Sequence, residues 1–448
     1  MGVGSDFVGR VARREVVVGV VGLGYVGLPT AIKFYDAGFT VWGIDNSQSV
    51  VSALAKGVNP TSDPELDGKI PTVENSRWNV GDSFQEAVPQ CDVIIVTVPT
   101  PVSTDKQIDV RFVTSAGDSV FKNINGGSKT IVILESTVYP GLTRSLWIPL
   151  ARDNGLELGD DVELAYCPER HNPGDSQNSI GQTARIIGSM DPEIGGSLVA
   201  LYSTITEAEV RFVGQMEVAE SAKLIENVQR DINIALVNEL AMILPKLDVD
   251  IEQVLEAAST KWNFHRYTPG IGVGGHCIPV DPYFLIDQAH QRDSNVHLIS
   301  SARMINDHMP THVANEIERV LDKHGIAKGD RNVLILGWSY KPEIGDVRGS
   351  PSSILAGDLI SRGISVCSWD PFVSQDDFGD GVEVSQGIAE IKNCDAIILA
   401  TAHDEFISLD WNEIGQRMRN KIIYDGRRCL NLNELEKFGW HTYAIGRP

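Results

Sequence analysis

Cysteine is scarce in this 448-residue sequence, and its six cysteines lie far apart, without a CxxC pair. A disulfide framework is typical of short, cysteine-dense secreted chains, and a zinc site has ligands at short spacing. We therefore expect reduced thiols, no bound metal and a cytoplasmic location.

Long apolar runs are also missing. No stretch reaches the roughly 18 apolar residues of a membrane-spanning helix. Arg13 and Arg14 precede the short apolar run 16–21, as in a twin-arginine leader, but glycines punctuate the run and no clean small-x-small cleavage site follows. We interpret this run as the first strand of a soluble domain.

Basic residues are outnumbered, with 38 against 60 acidic ones, so the formal net charge is -22 at pH 7. Such an acidic surface repels phosphate backbones. We expect neither a nucleic acid nor a membrane as a partner. An anionic small substrate would need cations placed at its own site.

What the sequence has is an alternation of strand and helix patterns. Residues 15–21 form a continuous run typical of a buried strand, a glycine-rich turn follows, and a helix pattern leads to a second strand at 39–44. This alternation predicts a doubly wound parallel sheet.

The C-terminal third repeats this pattern. After strand patterns at 332–337 and 364–369, the segment Cys394-Asp-Ala-Ile-Ile-Leu-Ala-Thr401 echoes Cys91-Asp-Val-Ile-Ile-Val-Thr97. We predict a second Rossmann-like domain without the glycine fingerprint, since Gly337 is followed by tryptophan. A nucleotide there would be bound in a different way. The alternative is a coincidence between two apolar strands.

Between these regions, apolar residues recur at helical spacing from 218 to 247. A helix of this length is a natural spine and a natural surface for a homodimer or a higher homo-oligomer. The predicted fold class is α/β, with two Rossmann-like doubly wound parallel-sheet domains joined by a central helical domain. The predicted domains are 1–210, 211–315 and 316–448.

The segment Gly22-Leu-Gly24-Tyr-Val-Gly27 follows a strand, opens a helix and matches G-x-G-x-x-G. Gly22 allows the tight turn, Gly24 lets the backbone approach a pyrophosphate, and Gly27 lets helix and strand pack closely. Asp45, at the end of the next strand, is suited to both hydroxyls of an adenosine ribose and would repel a 2′-phosphate. The pattern predicts NAD rather than NADP.

A glycine-rich segment, Gly272-Val-Gly-Gly-His-Cys277-Ile-Pro-Val-Asp281, surrounds one cysteine. A lone cysteine is usually a small buried hydrophobe, and we interpret Cys91, Cys367 and Cys394 in that way. The glycines around Cys277 instead allow close approach of a substrate. Asp281 is a candidate base for water or for the thiol.

Lys223 and Asn227 are four residues apart on the predicted central helix, so they share one face. The lysine interrupts an apolar spacing, which indicates a side chain that points into a site. The alternative is a solvated lysine paired with Glu220 or Glu226.

Taken together, these segments resemble the UDP-glucose/GDP-mannose dehydrogenase family over all three of its domains. The matching segments are Gly22-Leu-Gly-Tyr-Val-Gly27, Val98-Pro-Thr-Pro101, Glu135-Ser-Thr-Val-Tyr-Pro-Gly141, Cys167-Pro-Glu169, Lys223-Leu-Ile-Glu-Asn227, Gly274-Gly-His-Cys277 and Tyr340-Lys-Pro with Asp346-Val-Arg348.

The resemblance implies a role for each matching residue. Cys277 matches the nucleophile, Lys223 and Asn227 match groups that stabilise oxyanions, and Asp281 matches a residue that orients or activates water. Glu169 and Thr137 match residues around the reacting hydroxyl and a catalytic water. The substrate contacts that it implies are Glu169, Lys223, Asn227, Arg266, Gly274 and Lys341. The NAD contacts are Gly22, Gly24, Tyr25, Val26, Gly27, Asp45, Pro99, Thr100, Thr137 and Arg348.

The details of the cysteine loop favour one branch of the family. The sequence around Cys277 resembles the UDP-N-acetylglucosamine and UDP-N-acetylmannosamine 6-dehydrogenases, whereas UDP-glucose enzymes more usually have lysine where Val280 stands. The function implied is the NAD-dependent oxidation of a UDP-N-acetylhexosamine to its uronic acid. UDP-glucose as substrate is the first alternative, and a non-catalytic nucleotide-binding protein is the second.

Overall fold

The structure, a computed structural model, describes residues 3–61, 66–72, 75–102, 108–125, 129–170, 181–388, 390 and 393–448. The chain divides into two units. The first comprises Met1–Glu226 and Tyr283–Gln288, and the second comprises Asn227–Pro282 and Ala289–Pro448.

In the described part of the first unit, eight strands form one sheet in the order β3-β2-β1-β4-β5-β6-β7-β8. The strands are β1 (Val17–Val21), β2 (Thr40–Ile44), β3 (Trp78–Gly81), β4 (Val93–Val96), β5 (Thr130–Leu134), β6 (Val162–Tyr166), β7 (Arg185–Ser189) and β8 (Val210–Gly214). Neighbours are parallel except for β6 and β7, which are antiparallel. Every residue of β4, β5 and β6 is buried, in keeping with their mostly apolar sequences, although β5 includes Thr130 and β6 includes Glu163.

Helices of the first unit follow most of these strands. They are α1 (Val3–Arg13), α2 (Gly27–Asp36), α3 (Gln48–Ala55), α4 (Phe84–Ala87), α5 (Arg111–Phe121), α6 (Leu142–Asp153) and α7 (Pro192–Tyr202). Alternate residues of the central strands belong to different apolar clusters. Ile95 and Ile133 are in one, and Ile94 and Val132 are in the other. Because successive strand residues face opposite sides, both faces of the sheet are covered.

The long helix predicted between the sheets is α8 (Met216–Ile243), and the boundary between the two units falls inside it. The helical pattern predicted up to residue 247 ends earlier as an α-helix, because Leu244–Leu247 forms a 3-10 turn. Pro245 in this turn lacks the N–H that a continuing α-helix requires.

In the described part of the second unit, six strands form a parallel sheet in the order β11-β10-β9-β12-β13-β14. The strands are β9 (Asn332–Leu336), β10 (Ser365–Trp369), β11 (Val382–Val384), β12 (Ala396–Leu399), β13 (Ile422–Asp425) and β14 (His441–Ala444). The helices are α9 (Ile251–Ser259), α10 (Asp281–His290), α11 (Leu298–Lys323), α12 (Pro351–Ser361), α13 (Asp404–Ile407), α14 (Trp411–Arg417) and α15 (Leu432–Lys437); the middle of α10 is counted with the first unit.

The two sheets repeat one arrangement, as the sequence echo predicts. The strand after Cys91-Asp92 pairs with β1, and the strand after Cys394-Asp395 pairs with β9. In both, the aspartate accepts a hydrogen bond at 2.9 Å from the backbone N–H that begins the first strand of its sheet. The predicted fold class is confirmed. Over the described residues, no helix has both the length and the hydrophobicity that a membrane crossing requires.

Candidate functional site

The predicted residues of the first unit gather where its parallel strands end. Gly22 follows β1, Asp45 follows β2, the loop of Thr100 follows β4, Thr137 follows β5, and Glu169 follows β6. Because parallel strands end at the same edge of a sheet, these side chains share the edge at which Rossmann folds bind nucleotides.

The glycine turn has one position at which a side chain would clash and one at which it would not. A Cβ atom on Gly27, the first residue of α2, would lie 1.9 Å from the Gly22 carbonyl oxygen, so only glycine allows α2 to start there. A Cβ atom on Gly24 would meet nothing within 4 Å. Gly24 therefore leaves space beside the start of α2, where the backbone N–H groups and the helix dipole attract a pyrophosphate.

Asp45 holds the glycine turn in place. Its Oδ2 accepts a hydrogen bond from the N–H of Leu23 at 2.7 Å, and its Oδ1 accepts one from the N–H of Ser47 at 2.8 Å. An ionised carboxylate has about four acceptor sites, so these two bonds leave capacity for a ribose diol. The glycine turn and Asp45 fit the adenosine diphosphate part of NAD.

The remaining predicted cofactor residues of the first unit lie in this turn or in the loops after β4 and β5. Tyr25 is exposed, and Val26 is the residue just before α2. Thr100 donates a hydrogen bond from Oγ1 to the Thr137 carbonyl at 2.7 Å, which ties the loop after β4 to the loop after β5. Pro99, the residue before Thr100, is exposed.

Glu169 is buried beside a charged residue that the sequence analysis did not identify. Arg185 Nη2 donates to Glu169 Oε2 at 2.5 Å, and Arg185 Nη1 donates to Glu135 Oε1 at 3.3 Å. Tyr202 donates its hydroxyl to the same oxygen of Glu135 at 2.6 Å. The available signal was a single arginine at the head of the apolar run Ile186-Ile187.

The two carboxylates considered as surface partners of Lys223 both have other partners. Glu220 accepts hydrogen bonds from the N–H of Gly141 and from the N–H and hydroxyl of Thr143, and Glu226 forms an ion pair with Arg170 at 2.5 Å. Both carboxylates are therefore engaged by other groups. The half-buried Lys223 is not the simple surface partner of either.

In the second unit, the structure brings three predicted residues together. Asn227 donates from Nδ2 to Asp281 Oδ2 at 2.5 Å, and Asp281 is buried as the first residue of α10. The backbone N–H of Asp281 donates to the Cys277 carbonyl at 2.8 Å. Cys277 thus lies in the turn that leads into α10, near the positive end of the helix dipole.

The cysteine loop packs closely against the loop that follows β9. A Cβ atom on Gly274 would lie 2.5 Å from Tyr340 Cβ, and the Gly275 N–H donates to the Arg348 carbonyl at 2.9 Å. Burial raises the pKa of Tyr340 to about 12, and the nearby Asp346 acts in the same direction. The glycines therefore allow a close contact that holds the cysteine loop.

Three predicted cations of the second unit have different surroundings. Arg348 forms a two-armed ion pair with Asp346, with Nε at 2.9 Å and Nη2 at 2.5 Å from its oxygens. Lys341 is half-buried, and its carbonyl accepts a hydrogen bond from Ser339. Arg266 lies in an exposed loop and forms an ion pair with Glu252 of α9. Their roles toward substrate and cofactor stay predictions.

The cysteines divide as the sequence predicts. Cys91, Cys367 and Cys394 are buried in apolar clusters, whereas Cys277 is partly exposed. Burial raises the pKa of Cys367 to about 11 and that of Cys394 to about 12. These buried thiols are poor nucleophiles. Among the described residues, no cluster of three or more His, Cys, Asp or Glu side chains is suited to a metal ion.

Comparison with known families matches all three parts of the chain. The NAD binding domain of the UDP-glucose/GDP-mannose dehydrogenase family matches residues 16–206, its central domain matches 217–308, and its UDP binding domain matches 334–432.

Individual relatives extend over nearly the whole chain. The UDP-N-acetyl-D-glucosamine 6-dehydrogenase of Pseudomonas aeruginosa is 37% identical, with 93% of this chain and 98% of that protein covered. The UDP-N-acetyl-D-mannosamine dehydrogenase of Pyrococcus horikoshii is 34% identical, with coverages of 96% and 99%. A solved structure of the UDP-D-ManNAc dehydrogenase from that organism has a TM-score of 0.87 at 33% identity, covering 96% of this chain and 99% of that one.

These matches test the main predictions from the sequence. The predicted cofactor, NAD, and the predicted enzyme class, an NAD-dependent UDP-sugar dehydrogenase, are confirmed. The chain belongs to the UDP-glucose/GDP-mannose dehydrogenase family.

Proposed function

We propose that this enzyme oxidises the primary alcohol at C6 of a UDP-N-acetylhexosamine to a carboxylate, with Cys277 as the covalent nucleophile. The observation that carries the proposal is the position of Cys277 at the entry to α10, four residues before Asp281, whose carboxylate is hydrogen-bonded by Asn227.

The chemistry explains why such an enzyme needs a thiol. Oxidation of an alcohol to an acid removes two pairs of electrons, and NAD, when bound, accepts one pair in each oxidation. After the first oxidation, the Cys277 thiolate adds to the aldehyde carbon and forms a C–S bond, which gives a thiohemiacetal. Oxidation of this adduct leaves a thioester, and water then breaks the C–S bond to release the acid and the thiol.

The other residues that the family resemblance singles out have matching tasks in this scheme. The Lys223 ammonium and the Asn227 amide stabilise the oxyanions of the tetrahedral stages. The hydrogen bond to Asp281 orients the Asn227 amide. Asp281 or Glu169 accepts the proton of the attacking water. Thr137 is assigned, by resemblance, to the surroundings of this water.

The proposed sugar rests on the relatives and on the cysteine loop. The two relatives described above are named for UDP-N-acetyl-D-glucosamine and UDP-N-acetyl-D-mannosamine. Val280 replaces the lysine that UDP-glucose enzymes more usually have there. UDP-glucose is the second candidate, because the UDP-glucose dehydrogenase of Pyrobaculum islandicum also shares the fold, with a TM-score of 0.85 at 26% identity.

The stoichiometry of the reaction tests the nucleophile. We expect two NADH per sugar from the wild type and no free aldehyde, measured by absorbance and product analysis over a panel of UDP-sugars. Cys277→Ala should lose the acid product and retain at most slow formation of the aldehyde. The matched control is Cys429→Ala, which removes the other partly exposed thiol and should still form two NADH per sugar. Two NADH per sugar from Cys277→Ala at a near wild-type rate would disprove covalent catalysis.

Three wider predictions also belong to this proposal. We propose that the chain is organised in the segments 1–210, 211–315 and 316–448, that it forms a homodimer or higher homo-oligomer, and that it acts in the cytoplasm. Size measurement in solution tests the second of these directly.

A further inference from the structure

A buried cluster of charged groups lies behind the candidate base Glu169. β7 runs antiparallel to β6, with Tyr166 opposite Gly188, and the same register continued by three residues puts Glu169 opposite Arg185. Glu135 follows β5, the neighbouring strand on the other side of β6. The sheet itself thus places one guanidinium between two carboxyl groups.

All members of this cluster are shielded from water. The side chain of Glu135 is 0% exposed and that of Arg185 is 2% exposed, while Glu169 is 6% exposed. Tyr202, from α7, is also buried and donates its hydroxyl to Glu135. In such surroundings charges must nearly balance, because an uncompensated buried charge is costly.

The contacts of Arg185 are unequal. Its Nη2 lies 2.5 Å from Glu169 Oε2, whereas its Nη1 lies 3.3 Å from Glu135 Oε1. The second oxygen of Glu135, Oε2, is buried and accepts no hydrogen bond within the described part of the chain. One positive charge faces two carboxyl groups, and it is closer to Glu169. Of the two, Glu135 is therefore the less stabilised as an anion.

We propose that Arg185 is a positioning residue for Glu169, and that the two carboxyl groups beside it hold one shared proton, which resides on Glu135. Glu169 then stays ionised and fixed in orientation, ready to accept a proton during the reaction. This inference rests on the proposed role of Glu169 in the oxidation of the sugar.

The electrostatics of the cluster support this assignment. The pKa of Glu135 is raised to about 7, because burial and the nearby Glu169 together outweigh the opposing effects of Arg185 and of the hydrogen bond from Tyr202. Cys167 and Tyr202 also face this group, and burial raises the pKa of each above the neutral range, so both stay protonated near pH 7. The one ionisation expected here near neutrality is that of the paired carboxyl groups.

Infrared spectroscopy of the substrate-free protein tests where the proton resides. The carbonyl stretch of a protonated carboxyl group should be present in the wild type at pH 6 and should decline through the neutral range. Glu135→Gln should lose this titrating band. The matched control is Glu163→Gln, the same change at a buried glutamate near the start of β6. Glu163 forms an ion pair with Lys129, and this variant should keep the infrared band. A band that is absent from the wild type, or retained in Glu135→Gln, overturns the proposal.

The kinetics test whether the proton matters for Glu169. In the wild type, kcat should depend on an ionisation near pH 7, and Glu135→Gln should remove this dependence with KM unchanged. Arg185→Lys keeps the charge but loses the fork that contacts two carboxyl groups, so kcat should fall about tenfold or more while KM stays within about twofold. If Glu135→Gln and Glu163→Gln lose the same fraction of kcat and show the same pH profile, Glu135 has only a structural role.

The two measurements separate this inference from the proposed function. If the sugar or the nucleophile is assigned wrongly, the infrared result is unaffected, because it needs no substrate. If only the shared proton is wrong, the enzyme still forms two NADH per sugar, but the infrared band does not titrate near neutrality.

Discussion

At the carboxyl edge of each sheet, an aspartate accepts hydrogen bonds from backbone N–H groups, but the two aspartates have different surroundings. In the first sheet, Asp45 accepts hydrogen bonds from the N–H groups of Leu23 and Ser47. In the second sheet, Asp370 accepts them from Trp338 at 2.7 Å, Ser339 at 2.8 Å and Phe372 at 2.9 Å. An acidic residue after the second strand therefore holds the loop after the first strand in both.

The difference between the edges lies in what surrounds this aspartate. Asp45 is half-buried, and the nearby Gly24 is exposed beside open space. Asp370 is buried, His403 hydrogen-bonds it at 3.1 Å, and the ring of Phe372 stacks on His403. The same local pattern thus leaves an acceptor for a ribose in the first sheet, whereas in the second sheet it is enclosed as part of the core.

The largest effect that follows from this comparison is on folding. Asp370→Asn replaces one acceptor oxygen with an NH2 group among backbone N–H donors, so we expect it to lower the free energy of unfolding by about 3 kcal/mol. Burial opposes ionisation of Asp370, but the hydrogen bonds from His403 and the backbone outweigh it and lower its pKa. Its contribution is therefore lost as pH falls through that lowered pKa, and the Asn variant should lack this acid sensitivity. Denaturant unfolding at several pH values measures the loss of stability and its pH dependence. A decrease of less than about 0.5 kcal/mol in the free energy of unfolding would contradict the prediction.

A smaller effect on folding, and a larger one on the cofactor, is expected at the first edge. Asp45→Asn should cost about 1 kcal/mol of stability, because solvent can compensate part of the loss at a half-buried site. It should weaken NAD binding about tenfold or more, since a hydrogen bond to a charged group contributes about 1.5–3 kcal/mol. The preference for NAD over NADP should narrow as well. Calorimetric titration with both dinucleotides checks this, and unchanged NAD affinity would remove Asp45 from the ribose site.

The smallest effect on folding is expected for Gly24→Ala. The added Cβ meets nothing within 4 Å, so the free energy of unfolding should change by no more than about 0.5 kcal/mol. The methyl group occupies the space through which a pyrophosphate approaches the backbone, so NAD affinity should fall while affinity for UDP stays the same. Equal affinity for NAD in the variant and the wild type would show that the open space is not the cofactor path.

Much of the fold could be predicted from local sequence patterns. The apolar runs of β1 and β4, the glycine turn and the echo at Cys394 each lie within a short stretch of chain, and their meaning follows from the geometry of one strand and one turn. The helix α1 was not predicted, and the predicted length of α8 was a few residues too long, because Pro245 ends the α-helix. Element ends depend on such single residues.

Only part of the candidate site could be predicted from the sequence. Motif matching selected Cys277, Asp281 and Asn227, and the structure adds that the last two are hydrogen-bonded. Tyr340 was noted only as part of a motif, and its packing against Gly274 was not predicted, because that contact joins segments more than sixty residues apart.

The sequence by itself determined the fold class, the cofactor and the identity of the nucleophile candidate, because each depends on residues that are close together in the chain. Only the tertiary structure decided the pairing of Asn227 with Asp281 and the enclosure of Asp370 by His403. It also decided the placement of Arg185 between Glu169 and Glu135. Those arrangements depend on which strands and helices become neighbours, and burial, nearby charges and hydrogen bonds then set the charge that each group carries.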